Sequence, residues 1–231
     1  GSAARKGPRS LTEIANDCIA HQEAVLKGEV SPGMLTGLTD LDAALHGLHR
    51  SDLIIVAGRA SMGKTAFGLE LSYRIARSVE RLTGDVERPQ PVLFFSLEMT
   101  DQQLGGRLLS RVSGLPQDAM RDTANITAER IERLVAASQQ HIRDLPLFVD
   151  DTPQISLAQV HARARQMKRK RGLALIVVDY LQMMDMPRPG PGETANRTQQ
   201  VGKVTAGLKG LAKTLDVPVV ALSQLNRASD A

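Results

Sequence analysis

The stretch Gly58-Arg59-Ala60-Ser61-Met62-Gly63-Lys64-Thr65 follows directly on the apolar run Leu53-Ile54-Ile55-Val56-Ala57. Its spacing is that of a phosphate loop, G-x-x-x-x-G-K-[ST], and its setting is the one the mechanism requires. A strand comes before it, and helical sequence runs from Lys64 to about Val79 after it. In such a turn the backbone N–H groups converge on phosphate oxygens, helped by the positive end of the helix dipole. The nucleotide-binding set is read as Gly58, Ser61, Met62, Gly63, Lys64, Thr65 and Ala66. Lys64 is expected along the β- and γ-phosphates, and the Thr65 hydroxyl on Mg²⁺. A chance G-K-T in a turn would not have both flanks in place, so the stretch implies a nucleoside triphosphate site.

Working outward, 231 residues make one large domain or one domain with an appendage. A hydrophobic fraction of 42% supplies a sizeable core. No apolar run reaches the roughly 18 residues that span a bilayer, and no secretory signal is visible. Gly1-Ser2 has the look of a cleavage scar. The single cysteine, Cys18, excludes an internal disulfide framework and fits a reducing cytoplasm. It falls on the apolar face of an expected helix and is read as a packed core thiol. A net charge of +4 permits contact with a polyanion without demanding it. With no Trp, two Tyr and four Phe, base-stacking platforms are not expected. Any nucleic acid is then held mainly through its phosphates.

Residues 1–10 read as the scar and a disordered basic lead, 11–35 as a helix and hinge, and 36–231 as the core. Ser10 with Glu13 has capping-box spacing. Leu11, Ile14, Ala15, Cys18, Ile19, Val25 and Leu26 make an apolar helical stripe that Gly28 stops. Beyond the hinge Ser31–Gly37, this helix either folds back on its own domain or docks on a neighbouring subunit. The core alternates buried strands with helices. The strands are expected near Leu53–Ala57, Val92–Ser96, Leu147–Val149, Leu173–Val178 and Val217–Leu222. Helices capped by Thr100, Thr127 and Ser156, and one near Arg197–Leu215, lie between them. Such alternation argues for an α/β fold, a parallel sheet with helices on both faces.

Chemistry in such folds gathers just beyond the carboxyl ends of the strands. Asp179 follows Leu175-Ile176-Val177-Val178 and has the character of a Walker B metal carboxylate, rather than a strand-end Asp answering a loop N–H. Glu98 is read as the group that takes a proton from the attacking water, rather than a charge answering a helix dipole. Gln224 suits a sensor of the γ-phosphate. The run Lys168-Arg169-Lys170-Arg171 reads as the solvated end of a helix. Five histidines show no metal-ligand spacing.

Five blocks in this order, G-R-A-S-M-G-K-T, F-F-S-L-E-M, V-D-D-T-P, V-V-D-Y-L-Q-M-M and V-P-V-V-A-L-S-Q-L-N-R, resemble the motor domain of DnaB-type replicative DNA helicases. The resemblance covers about Leu11 to Arg227. It implies a RecA-like P-loop NTPase fold, with the Gln224 strand between the phosphate-loop and Asp179 strands. It also implies ring hexamers that hydrolyse ATP, and often other NTPs, at subunit interfaces while translocating on single-stranded DNA. A helicase loader and primase are implied as partners, and the cytoplasm of a bacterial or phage replisome as the location. Lys64 and Thr65 match the family's phosphate and Mg²⁺ ligands, Glu98 its catalytic glutamate, Asp179 its Walker B aspartate and Gln224 its γ-phosphate sensor. Arg107 matches a basic residue near the nucleotide, with a surface salt bridge as the alternative. The 11–26 helix resembles the linker helix that packs on the adjacent subunit, which favours docking in trans.

The sequence given stops at Ala231, before the family's last strands, DNA-contacting loop and trans-acting arginine finger, and the family's N-terminal scaffold domain does not precede it. The expectation is therefore a fragment with weak hydrolysis of its own, since an arginine finger is worth about 10³–10⁵ in rate. The rival to a motor is a nucleotide-gated docking module. Gly202, Gly207 and Gly210 cost the 197–215 helix about 1 kcal/mol each against Ala, which suggests mobility there. The Pro/Gly loop Met186–Gly192 before it is a DNA-facing loop by resemblance.

Overall fold

Runs such as Val92-Leu93-Phe94-Phe95 and Leu175-Ile176-Val177-Val178 offer no polar face, so a sheet built from them must be covered on both sides. The computed structural model describes residues 7–30, 33–77, 90–120, 122, 126–185 and 197–225 and has that arrangement. Strands β1 (Leu53–Gly58), β2 (Val92–Ser96), β3 (Leu147–Asp150), β4 (Leu175–Asp179) and β5 (Val219–Gln224) form one sheet, in the order β1-β5-β4-β2-β3. Every pairing is parallel. The strand carrying Gln224 lies between the phosphate-loop strand and the Asp179 strand, as the resemblance implies.

The helices are α1 (Leu11–Leu26), α2 (Thr39–Leu45), α3 (Lys64–Arg77), α4 (Asp101–Ser113), α5 (Ala128–His141), α6 (Leu157–Arg171) and α7 (Arg197–Leu215). Alternate strand residues point to opposite faces and build two cores. Phe94, Val177, Val220 and Leu222 pack with Leu69, Leu71 and Ile75 of α3 and Leu104 and Leu108 of α4. Phe95, Ile176, Val178 and Ala221 pack with Val160 and Ala164 of α6 and Val204, Leu208 and Leu211 of α7. Truncating Phe94 or Phe95, both fully buried, is expected to cost about 3–5 kcal/mol. Register gathers the polar ends at one edge, with Ser96 beside Asp179 and Gly58 beside Gln224.

The cap signals act as read. Ser10–Glu13, Thr100–Gln103 and Ser156–Gln159 form capping boxes, and the Thr127 hydroxyl accepts the Arg130 N–H. Of the expected hinge, residues 31 and 32 lie outside the described residues. Its far end is pinned: Met34 pairs with Leu48, and the Asp42 carboxylate accepts the N–H groups of Thr36 and Gly37 at 2.8 and 2.9 Å. Arg74 of α3 donates to the Gly37 carbonyl at 2.7 Å. The 1–6 lead, the connection 78–89, the Pro/Gly loop 186–192 and Arg227 lie outside the described residues.

Four expectations change. Cys18 is exposed, not a core thiol, because no residue of α1 is buried; its stripe has no partner within the described chain. β1 is an edge strand, which leaves Ile55 47% exposed. On α5 only Ala137 is buried, and Ile131 and Val135 face outward. Gly207 is a packing residue. A Cβ there would sit 2.0 Å from Leu157 Cδ2, so its absence is what lets α6 and α7 approach. The basic run at the end of α6 is partly tied into the fold, with Lys168 donating to the Leu215 carbonyl and Arg171 lying 4.9 Å over the Phe148 ring.

Candidate nucleotide-binding and hydrolysis site

β1 delivers the chain into the loop, and α3 starts at Lys64. Ser61 and Gly63 have φ of 63° and 81°, the left-handed values that curl a loop into a concave anion nest. Space around Gly63 is open, so it is backbone conformation that favours glycine there. The first-turn N–H groups of Lys64, Thr65 and Ala66 have no acceptor inside an α-helix. Lys64 Nζ donates to the Arg59 carbonyl at 2.7 Å, which lays the amine across the loop. Gly58 sits under the Lys64 stem, and Met62 is exposed. α3 is held tight on the sheet at Gly68, where a Cβ would meet Leu222 Cδ1 at 3.0 Å.

Glu98 stands exposed in a braced turn. Leu97 N–H donates to the Asp179 carbonyl at 2.7 Å, extending the β2–β4 ladder, and Ser96 Oγ donates to the Met99 carbonyl at 2.6 Å. The Asp101 N–H, at the start of α4, donates to the Asp151 carboxylate at 3.0 Å, so the V-D-D-T-P block also holds this turn. Asp150 is occupied otherwise, by Arg163 and Thr152.

Asp179 is 1% exposed, and neither carboxylate oxygen has a hydrogen-bond partner. Burial pushes its pKa up. The Thr65 hydroxyl draws it back down, although no hydrogen bond of sound geometry joins the two; Glu98 raises it, and Lys64 and Arg107 lower it. The residues whose charges or dipoles Asp179 feels are thus the ones read from the sequence. Arg107 reaches this neighbourhood from α4, and its Nε is buried without a partner, so the surface salt-bridge alternative does not describe it. Gln224 is half-buried at the end of β5.

The sequence reading assigned no role to Gln182. Its carboxamide, on a 3₁₀ turn at Leu181–Met183, is bonded to the backbone of Gln224. Its place in the D-Y-L-Q block, three residues after Asp179, was the only signal.

A phosphate loop on an edge strand, a buried carboxylate two strands away and a polar strand end between them define a RecA-like P-loop NTPase domain. Residues 33–231 match the DnaB-like helicase C terminal domain, and the chain belongs to that family. It is 40% identical over 216 residues to the replicative DNA helicase DnaB of Rickettsia typhi, covering 93% of this chain and 42% of that protein. It is 43% identical over 226 residues to that of Nostoc sp., covering 96% of this chain and 24% of the other. The chain therefore spans less than half the length of these relatives. Among solved structures, an isolated ATPase domain superposes with a TM-score of 0.80 at 27% identity, over 96% of this chain and 73% of that one. The structure of a DnaB-like replicative helicase and its interactions with primase gives 0.75 at 26% identity, over 98% of this chain and 51% of that one.

Proposed function

We propose that this chain is the motor of a ring helicase, in which ATP binding and hydrolysis between subunits drive translocation on single-stranded DNA and duplex unwinding. The observation that carries the reading is the orphaned, buried Asp179 carboxylate set among Thr65, Glu98, Lys64 and Arg107. A buried charge without partners costs several kcal/mol unless a ligand answers it. A single carboxylate beside a hydroxyl fits Mg²⁺, which keeps several waters and takes its other oxygens from phosphates. Asp179 and Thr65 would hold the ion, which when bound neutralises charge on the β- and γ-phosphates. Lys64 exchanges the Arg59 carbonyl for phosphate oxygens. Glu98 accepts a proton from the attacking water and aims it. Gln224 donates to the γ-phosphate and registers its loss. Arg107 adds positive charge beside the nucleotide.

Residues 11–35 serve as linker helix and hinge to a core of 36–231. The bare stripe of α1, open at Ile19 and Leu26, supports docking on the next subunit. Because one subunit then builds half of an interfacial site, the isolated chain turns over slowly. The assembly is a homo-oligomer, a hexameric ring in the full-length protein, working in the cytoplasmic replisome. Primase, which a structural relative engages, and a helicase loader are proposed partners. No described helix is long and apolar enough to cross a membrane. The test is hydrolysis and strand displacement by the full-length protein. Single-stranded DNA should stimulate ATP turnover, and Lys64→Ala should abolish turnover and unwinding together. Turnover indifferent to DNA, with no duplex unwound, overturns the motor in favour of a nucleotide-gated docking module.

A further inference from the structure

β5 outruns its neighbour. Its pairing with β4 reaches Val178 opposite Ala221, while β5 continues beside β1 as far as Gln224. In a parallel strand, successive residues turn their peptide groups to opposite sides. The Leu225 N–H donates to the Gly58 carbonyl at 3.1 Å on the β1 side, so the N–H and C=O of Gln224 face the side where β4 has ended. Backbone groups in a half-buried position need partners. Gln182 supplies them. Its Oε1 accepts the Gln224 N–H at 3.2 Å, and its Nε2 donates to the Gln224 carbonyl at 3.0 Å. The same Nε2 donates to Ser223 Oγ at 3.0 Å. A primary carboxamide carries a donor and an acceptor side by side, as a strand's peptide groups do. The side chain thus stands in for one rung of the missing ladder.

We propose that Gln182 is the positioning residue for Gln224, holding the last turn of β5 so that the Gln224 side chain meets the γ-phosphate; this rests on reading Gln224 as the sensor. With both backbone groups fixed, the carboxamide of Gln224 searches only its own torsions. Gln182 is itself firmly placed: Leu181 and Met184 on either side are buried, and the Asp185 N–H donates to the Ile155 carbonyl at 3.1 Å. The turn lies three residues beyond Asp179, so the metal-carboxylate strand and the sensor strand remain joined past the end of their ladder. Catalytic geometry is sensitive at this scale, where a misplacement of about 1 Å costs about 10²-fold.

The experiment compares Gln182→Ala, Gln182→Glu, Gln224→Ala and the Ala double variant in the full-length protein. It reads DNA-stimulated kcat and the affinity ratio of a non-hydrolysable ATP analogue to ADP, by competition with a fluorescent nucleotide. Gln182→Met, of equal length and without the hydrogen bonds, takes the place of Gln182→Ala if that variant does not assemble. Gln182→Ala should lower kcat by about tenfold or more and erode the triphosphate preference, leaving ADP affinity within about twofold. Gln182→Glu should do no better, since its carboxylate would oppose the Gln224 carbonyl. The double variant should be no slower than Gln224→Ala alone, as expected of residues acting through one another. A double variant whose losses multiply, or full kcat in Gln182→Ala, overturns the proposal. If Gln224→Ala alone keeps both kcat and the triphosphate preference, the sensor reading fails first and the positioning role falls with it.

Discussion

Replacing Asp179 by Asn removes a charge and keeps the shape. In the nucleotide-free protein this carboxylate is buried with neither oxygen bonded, and burial holds its pKa above the ordinary 3.8. A carboxyl whose folded pKa exceeds its unfolded one binds more protons when folded, so stability falls as pH rises from about 3.8 through the folded value. The penalty is complete at neutral pH and absent below the unfolded pKa. One unsatisfied buried polar group costs about 1–3 kcal/mol and a charged one more. Asn still leaves an unpartnered amide, so the exchange should recover only the difference, about 1–2 kcal/mol at neutral pH. For a domain of this size that raises the melting temperature by about 2–8 °C. The assay is thermal unfolding in EDTA without nucleotide, at neutral pH and at about pH 4. Asp179→Asn should melt higher at neutral pH, with the gap closing on acidification. Mg²⁺ with an ATP analogue should then raise the wild type and raise the variant less. A variant that melts no higher in metal-free buffer, or a gap that widens in acid, refutes the reasoning.

Three further outcomes follow from other parts of the fold. Gly207→Ala drives a Cβ into Leu157 and should cost about 1–3 kcal/mol in urea unfolding, with most of it restored by adding Leu157→Ala. Cys18 should react fast with a maleimide in dissociated subunits and slowly in the assembled ring if α1 docks in trans; equal rates argue against docking. Arg111 first, then Arg74, holds the Glu70 carboxyl below its ordinary 4.5 against the pull of partial burial. That stabilisation is present above 4.5 and lost as pH falls through the lowered value. Glu70→Gln should therefore cost about 1 kcal/mol at neutral pH and nothing in strong acid, by calorimetry.

What the sequence disclosed depended on how local the physics was. The phosphate loop, the capping boxes and the all-apolar strands β2 and β4 are determined by neighbours in sequence, and their elements stand within a few residues of where they were read. The strand order needed the family resemblance, because nothing local says that β5 lies between β1 and β4. Cys18 and the outward Ile131 and Val135 were misjudged for one reason: an apolar stripe reports that a helix wants cover, not that its own chain provides it. Gly207 looked like a weakness on propensity alone, and only the approach of Leu157 explains it. At the site, the residues following apolar runs were legible as strand-end chemistry. Gln182 was not, since its importance lies in β4 ending before β5 does, and strand ends relative to one another are a tertiary fact.

The account's central claim is that Glu98, exposed in its braced turn beside Asp179, turns a nucleotide grip into hydrolysis. The measurement that tests it most directly is DNA-stimulated ATP turnover by full-length Glu98→Gln, alongside its affinity for ATP. The account predicts affinity within a few-fold of wild type and turnover lower by about 10²–10⁴. Turnover within a few-fold of wild type would contradict it, leaving Glu98 as no more than a surface charge near the start of α4.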